Sequence, residues 1–97
     1  MTVKFKTNQK TKLTRPSLYS VILLNDNYTS MEFVVDILMR IFDKTDGEAT
    51  NIMLDVHNKG KGIVGIYTYD IAMTKCNIVI DLAKKENFPL KAIVEEA

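Results

Sequence analysis

Ninety-seven residues, 46% of them apolar and 26% charged, make one globular domain with a single core, and an overall charge of +1 hides an asymmetry. Lys4, Lys6, Lys10, Lys12 and Arg15 stand near the start without an acid; removing these five bases from thirteen leaves eight against twelve acids, so residues 16–97 sum to −4. An acidic body argues against nucleic-acid binding, the lone Cys76 excludes an internal disulfide and a thiolate metal site, and no apolar run nears the ~20 residues that span a bilayer.

Residues 1–15 are polar, basic and without period, and read as a flexible tail ahead of a core domain over residues 16–97. No signal-peptide core opens the chain, so a cytoplasmic protein with no membrane partner is expected. Tyr19 to Leu24 is rich in strand formers and short enough for a sheet strand. It stops at Asn25-Asp26-Asn27, a corner crowded with acceptor oxygens. Thr29 and Glu32 have the spacing of a capping box, which predicts a helix N-terminus there.

The first helix is expected over about Ser30 to Phe42, with Met31, Val34, Leu38 and Ile41 or Phe42 on its apolar stripe. A loop from Asp43 to Gly47 leads to a second helix carrying Ala49, Ile52, Met53 and Val56 on one face and ending at Gly60. Gly62 to Thr68 reads as a second strand, and Asp70 as the cap of a third helix faced by Ala72, Cys76, Val79, Ile80 and Ala83. Phe88 to Val94 completes the chain as a third strand, with Pro89 near its start. The order β-α-α-β-α-β predicts an α+β fold, a three-stranded antiparallel sheet packed on three helices.

Three tempting motifs fail on context. Gly60-Lys-Gly62-Ile-Val-Gly65 spells a dinucleotide fingerprint, but these glycines follow a helix and open a strand, the reverse of what a pyrophosphate site needs. Asp43 to Gly47 lacks the ligand set of a calcium loop, since Thr45 and Leu54 occupy two of its ligand positions. Cys76 falls on an apolar helix face, which makes it a buried structural thiol rather than a partner for His57. No catalytic residue, cofactor or metal is implied.

The corner is different. Acceptor groups beside small apolar positions suit a ligand with an ammonium head and an apolar side chain, as at a peptide N-terminus. The block Asn25-Asp26-x-Tyr28-Thr29-x-Met31-Glu32-Phe33-Val34 resembles the ClpS family, small adaptors that deliver proteins with destabilising N-terminal residues to a AAA+ protease. Tyr19-x-Val21-Ile22-Leu23, Ala49-x-x-Ile52-Met53-Leu54, Val56-His57, Gly60-Lys61, Gly65-x-Tyr67-Thr68, Ala72-x-Thr74-Lys75 and Pro89-Leu90 extend the likeness in the same order.

The resemblance implies a fold similar to the ribosomal stalk protein C-terminal domain, and no catalysis. It implies that a substrate's α-amino group is bound by Asn25, Asp26, Asn27 and His57, and its first side chain by Leu24, Thr29, Met31, Val34, Met53, Val56 and Leu90. It also implies contact with a ClpA-type or ClpC-type unfoldase through Tyr69, Asp70 and Lys75, with the basic tail presented to the unfoldase pore. The ligands it implies are proteins and peptides led by Leu, Phe, Tyr or Trp. An ammonium has three donors, which two amide oxygens and a neutral imidazole nitrogen can accept. By spacing alone, Met31, Met53 and Val56 are ordinary core residues, and Asn25 to Asn27 an ordinary turn. One departure stands out: family members usually carry an acid where this chain has Asn27, a loss of about 1 kcal/mol in ammonium binding. A ribosome-associated interaction module on the same fold is the alternative of another class.

Overall fold

The apolar run before Asn25 forms the middle strand of the sheet. A computed structural model describes residues 17–97, in the order β1 (Leu18–Leu24), α1 (Met31–Phe42), α2 (Asp46–Lys59), β2 (Lys61–Thr68), α3 (Tyr69–Lys85) and β3 (Lys91–Glu96). The tail assigned to residues 1–15 lies outside the described residues. Both β2 and β3 pair with β1 antiparallel, giving the sheet order β2-β1-β3. The expected α+β architecture is therefore the observed one.

Alternation along β1 separates two faces. Val21 and Leu23 point to the helices and are fully buried among Val34, Ile37, Leu38, Val56, Val79 and Ala83. On the opposite face Ile22 lies between Ile63 of β2 and Ile93 of β3 in the strand register. A bulge between Val21 and Ile22 shifts the pairing with β2, so that beyond Val64 it is Tyr67 rather than Ile66 that packs against the core.

The helix ends differ from expectation in ways that bear on the site. Ser30, not Thr29, caps α1: it has extended backbone (φ −71°, ψ 148°) and its hydroxyl accepts from the Phe33 N–H at 3.1 Å. Thr29 is unavailable because its hydroxyl is committed to Asp26. The reciprocal capping box stands instead on α2, where Thr45 accepts from the Glu48 N–H and Glu48 accepts from the Thr45 N–H. Hence the helix begins at Asp46, inside the expected loop. Asp70 does not cap α3; it sits in the first turn after Thr68, whose side chain makes no capping hydrogen bond.

The third strand also starts later than expected. The Phe88 N–H donates to the Ala83 carbonyl at 2.8 Å, closing the end of α3 rather than a sheet ladder, and Pro89 has no N–H to offer. Phe88 packs against Phe33 with ring centroids 5.0 Å apart, and pairing with β1 begins only at Lys91.

Gly60 ends α2 with φ 88°, a left-handed conformation that costs glycine nothing. Two residues on, a Cβ at Gly62 would stand 2.9 Å from Val56 Cγ2 and 3.2 Å from the Ile52 carbonyl. The glycine spacing thus ends a helix and brings β2 hard against α2, which is why it carries no phosphate chemistry.

Candidate functional site

The strand-to-helix corner is held from both ends. The Asn25 N–H donates to the Gly60 carbonyl at 2.9 Å, which pins the end of β1 to the end of α2. Asp26 organises the turn between that pin and α1. Its Oδ1 accepts from the Tyr28 and Thr29 N–H groups, each at 2.7 Å, and its Oδ2 accepts from the Thr29 hydroxyl at 2.7 Å. Partial burial works against the charge, but the bonds from the Thr29 hydroxyl and the two N–H groups outweigh it and hold the carboxyl below its usual range.

With Asp26 turned inward to its own loop, Asn25 and Asn27 remain exposed on the corner. Pinning Asn25 to Gly60 sets them beside His57, which lies in the last turn of α2 and is also exposed. Among the described residues, no side-chain hydrogen bond engages Asn25, Asn27 or His57. These polar groups border a cavity of about 410 Å³ whose walls are completed by Asp26, Tyr28, Thr29, Ser30, Met31, Val34, Met53 and Val56. Val34 and Val56 are buried, 5% and 4% exposed, and form apolar ground, whereas Met31 at 44% stands out as a rim.

All four predicted amino-group residues, Asn25, Asp26, Asn27 and His57, border this cavity, as do Thr29, Met31, Val34, Met53 and Val56. Leu24 and Leu90 do not: Leu24 is half-buried at the strand end, and Leu90 is 5% exposed within the main core. Tyr28 and Ser30 also line the cavity, and their place within the corner stretch is the one signal that could have found them.

A family model described as "ATP-dependent Clp protease adaptor protein ClpS" matches residues 14–93. The chain belongs to the ClpS family. Two ClpS-family relatives carry the name ATP-dependent Clp protease adapter protein ClpS. That of Acetivibrio thermocellus is 56% identical over 96% of this chain and 92% of its own length. That of Helicobacter hepaticus is 54% identical over 95% and 93%. Among solved structures, Agrobacterium tumefaciens ClpS2 bound to L-phenylalaninamide is similar with a TM-score of 0.83 and 38% identity, covering 86% of this chain and 100% of that one. ClpS membership makes the chain an adaptor of the Clp protease and favours that reading over a ribosome-associated module.

The residues that the ClpS resemblance assigned to unfoldase contact sit elsewhere, at the start of α3. Asp70 and Lys75 border a groove of about 450 Å³ with Arg40, Ile41, Ile71, Thr74 and Ile78, while Tyr69 packs edge-on against Tyr19 with centroids 5.1 Å apart. Lys75 is half-buried and occupied. Its Nζ donates to the Ile41 carbonyl at 2.7 Å and lies 5.5 Å from the Phe42 ring centroid and 5.6 Å from that of Tyr67. A cation placed on a carbonyl of the last helical turn favours the helix dipole, so the lysine closes the end of α1.

Cys76, the remaining reactive side chain, is 4% exposed. Its thiol donates to the Ala92 carbonyl at 3.0 Å, and burial pushes its pKa up, away from the thiolate that nucleophilic chemistry requires. Among the described residues no helix is long and apolar enough to cross a membrane, and no group of acids, histidines and cysteines is disposed to hold a metal.

Proposed function

We propose that the cavity receives the first residue of a substrate protein, and that the adaptor passes this cargo to a ClpA-type or ClpC-type unfoldase. The observation that carries the reading is the pairing of acceptors on Asn25, Asn27 and His57, unengaged among the described residues, with apolar ground at Val34, Met53 and Val56. The acceptors take the three protons of the ammonium, and each such charge-assisted bond contributes roughly 1.5–3 kcal/mol. A Leu or Phe side chain entering the apolar part contributes roughly 1.5–3 kcal/mol more, and Tyr and Trp are of the same kind. An association cost of about 4 kcal/mol or more leaves at best micromolar binding, about −8 kcal/mol, which lets a carrier release its cargo. L-phenylalaninamide, the ligand of the Agrobacterium relative, has the same two features: a free amine and an apolar side chain.

Asp26 acts here as a positioning residue, because its oxygens already hold Tyr28 and Thr29. The direct contacts fall to Asn25, Asn27 and His57. We place the unfoldase contact on the groove bordered by Asp70 and Lys75, with Tyr69 beside it. Fluorescence anisotropy with Leu-, Phe-, Tyr- and Trp-led peptides tests the reading, each with a free and an acetylated N-terminus. Acetylation removes the charge, and binding should fall at least tenfold. Equal affinity for both forms removes the ammonium from the recognition. Replacing Asn27→Asp restores a charged acceptor and should tighten binding by about 1 kcal/mol, or roughly fivefold.

A further inference from the structure

Met31 and Met53, which wall the cavity, have a second side. With Val35 and Met39 they line a groove of about 370 Å³ over α1 and α2, rimmed by Glu32 and Asp36. Cavity and groove therefore share a wall and differ in what lies beyond it.

Met31, Val35 and Met39 follow one another at a spacing of four, which sets them in one line along α1. The helix is anchored chiefly through Val34, Ile37, Leu38 and Phe42, and of this line only Val35 packs partly against the core. Met31 and Met39 instead remain 44% and 40% exposed. Methionine is unbranched and polarizable, and it moulds itself to partners of varied shape. An adaptable apolar strip, continuous with the cavity and exposed at Met31 and Met39, is suited to more of whatever enters that cavity.

The geometry points to this groove as a subsite for the third side chain of the bound peptide, a role that rests on the reading that the first residue fills the cavity. In an extended chain, alternate side chains share a face and residues advance ~3.3 Å each, so the third returns to the side of the first about 7 Å farther on. A peptide whose first side chain rests on Val34 and Val56, and whose backbone crosses the Met31–Met53 ridge, lowers its third side chain between Val35 and Met39. The subsite takes a long, flexible apolar group such as Met or Leu. It adds a sequence preference behind the N-terminal residue, which the cavity alone does not supply.

Two probes separate the subsite from the cavity. L-phenylalaninamide reaches only the cavity; a series of Phe-led peptides carrying Met or Ser in turn at positions two, three and four reaches farther. By titration calorimetry, Met at position three should bind about fivefold tighter than Ser, the equivalent of burying one or two methylenes, with no preference at positions two and four. Met39→Gln and Val35→Thr, neither of which borders the cavity, should abolish that preference and leave L-phenylalaninamide binding unchanged. Equal affinity for Met and Ser at position three overturns the subsite while leaving the cavity reading intact, as does a preference that survives both variants. A concentration-dependent dimer in sedimentation that Met39→Gln dissolves, without change in peptide preference, gives the groove to a second copy and overturns it too. Failure of L-phenylalaninamide to bind sinks the cavity reading, and the subsite with it.

Discussion

The corner at residues 25–29 and the groove beside Lys75 present polar groups next to apolar surface, yet they use those groups in opposite ways. At the corner, Asp26 takes the local hydrogen bonds upon itself, and among the described residues no side-chain hydrogen bond engages Asn25, Asn27 or His57. At the groove, Lys75 gives a bond to Ile41 and stacks its charge over two rings, so the group that looked available serves the fold first. A polar side chain is free to bind a partner only where some neighbour has satisfied the backbone around it. Identity does not settle that; local competition for donors and acceptors does.

The strongest way to break this comparison is at the two residues that hold each region together. Asp26→Ala removes the acceptor of three bonds, so the corner must become ordered on binding. Peptide affinity should fall about tenfold to a hundredfold, the worth of one bond to a charged group. Anisotropy that shows wild-type affinity means the corner is held by something else. Lys75→Met should lower stability by about 1–2 kcal/mol, the low side for a bond to a charged donor because the ammonium is only half-buried. For a domain of this size that is a drop in melting temperature of about 4–16 °C, with peptide binding unchanged. A melting curve that does not move would leave Lys75 free for a partner, as the resemblance alone implies.

A finer contrast separates adjacent hydroxyls. Ser30→Ala loses the cap of α1 and should cost about 1 kcal/mol of stability, whereas Thr29→Val loosens the Asp26 turn and should cost more in peptide affinity than in melting temperature. If the two variants behave alike, Thr29 and Ser30 share the capping duty. The smallest effect is on acid titration. Asp26 has its carboxyl held below the ordinary aspartate value of 3.8, so its stabilisation of the turn is complete above that value and is lost as pH falls through the lower, folded-state value. The Tyr28 and Thr29 amide resonances should stay put down to about pH 4 and move only in stronger acid. Movement at higher pH would mean that the turn bonds do not outweigh burial.

Much of the molecule is legible in the chain alone. The spacing of Val34, Leu38 and Phe42, the stop at Gly60 and the strand-forming run before Asn25 all express periodicity and backbone freedom that each segment carries within itself. Nine of the eleven residues that the ClpS resemblance assigns to ligand binding border one cavity, because most of them are neighbours in the chain or on two adjoining helices. Leu24 and Leu90 escaped that logic, since which wall an apolar residue joins depends on layers stacked from distant segments.

What only the folded arrangement decided were the contests between equivalent groups. Thr29 and Ser30 can each cap a helix, and Asp26 takes the first while the second is left for α1. Lys75 meets a carbonyl 34 residues away, Cys76 one 16 residues away, and Asn25 is tied to Gly60 across the fold. Periodicity and turn chemistry are written into short stretches of chain, so the elements and their order could be read directly. The partner of a hydrogen bond depends on which competitors stand within about 3 Å, and that distance exists only once the chain has folded.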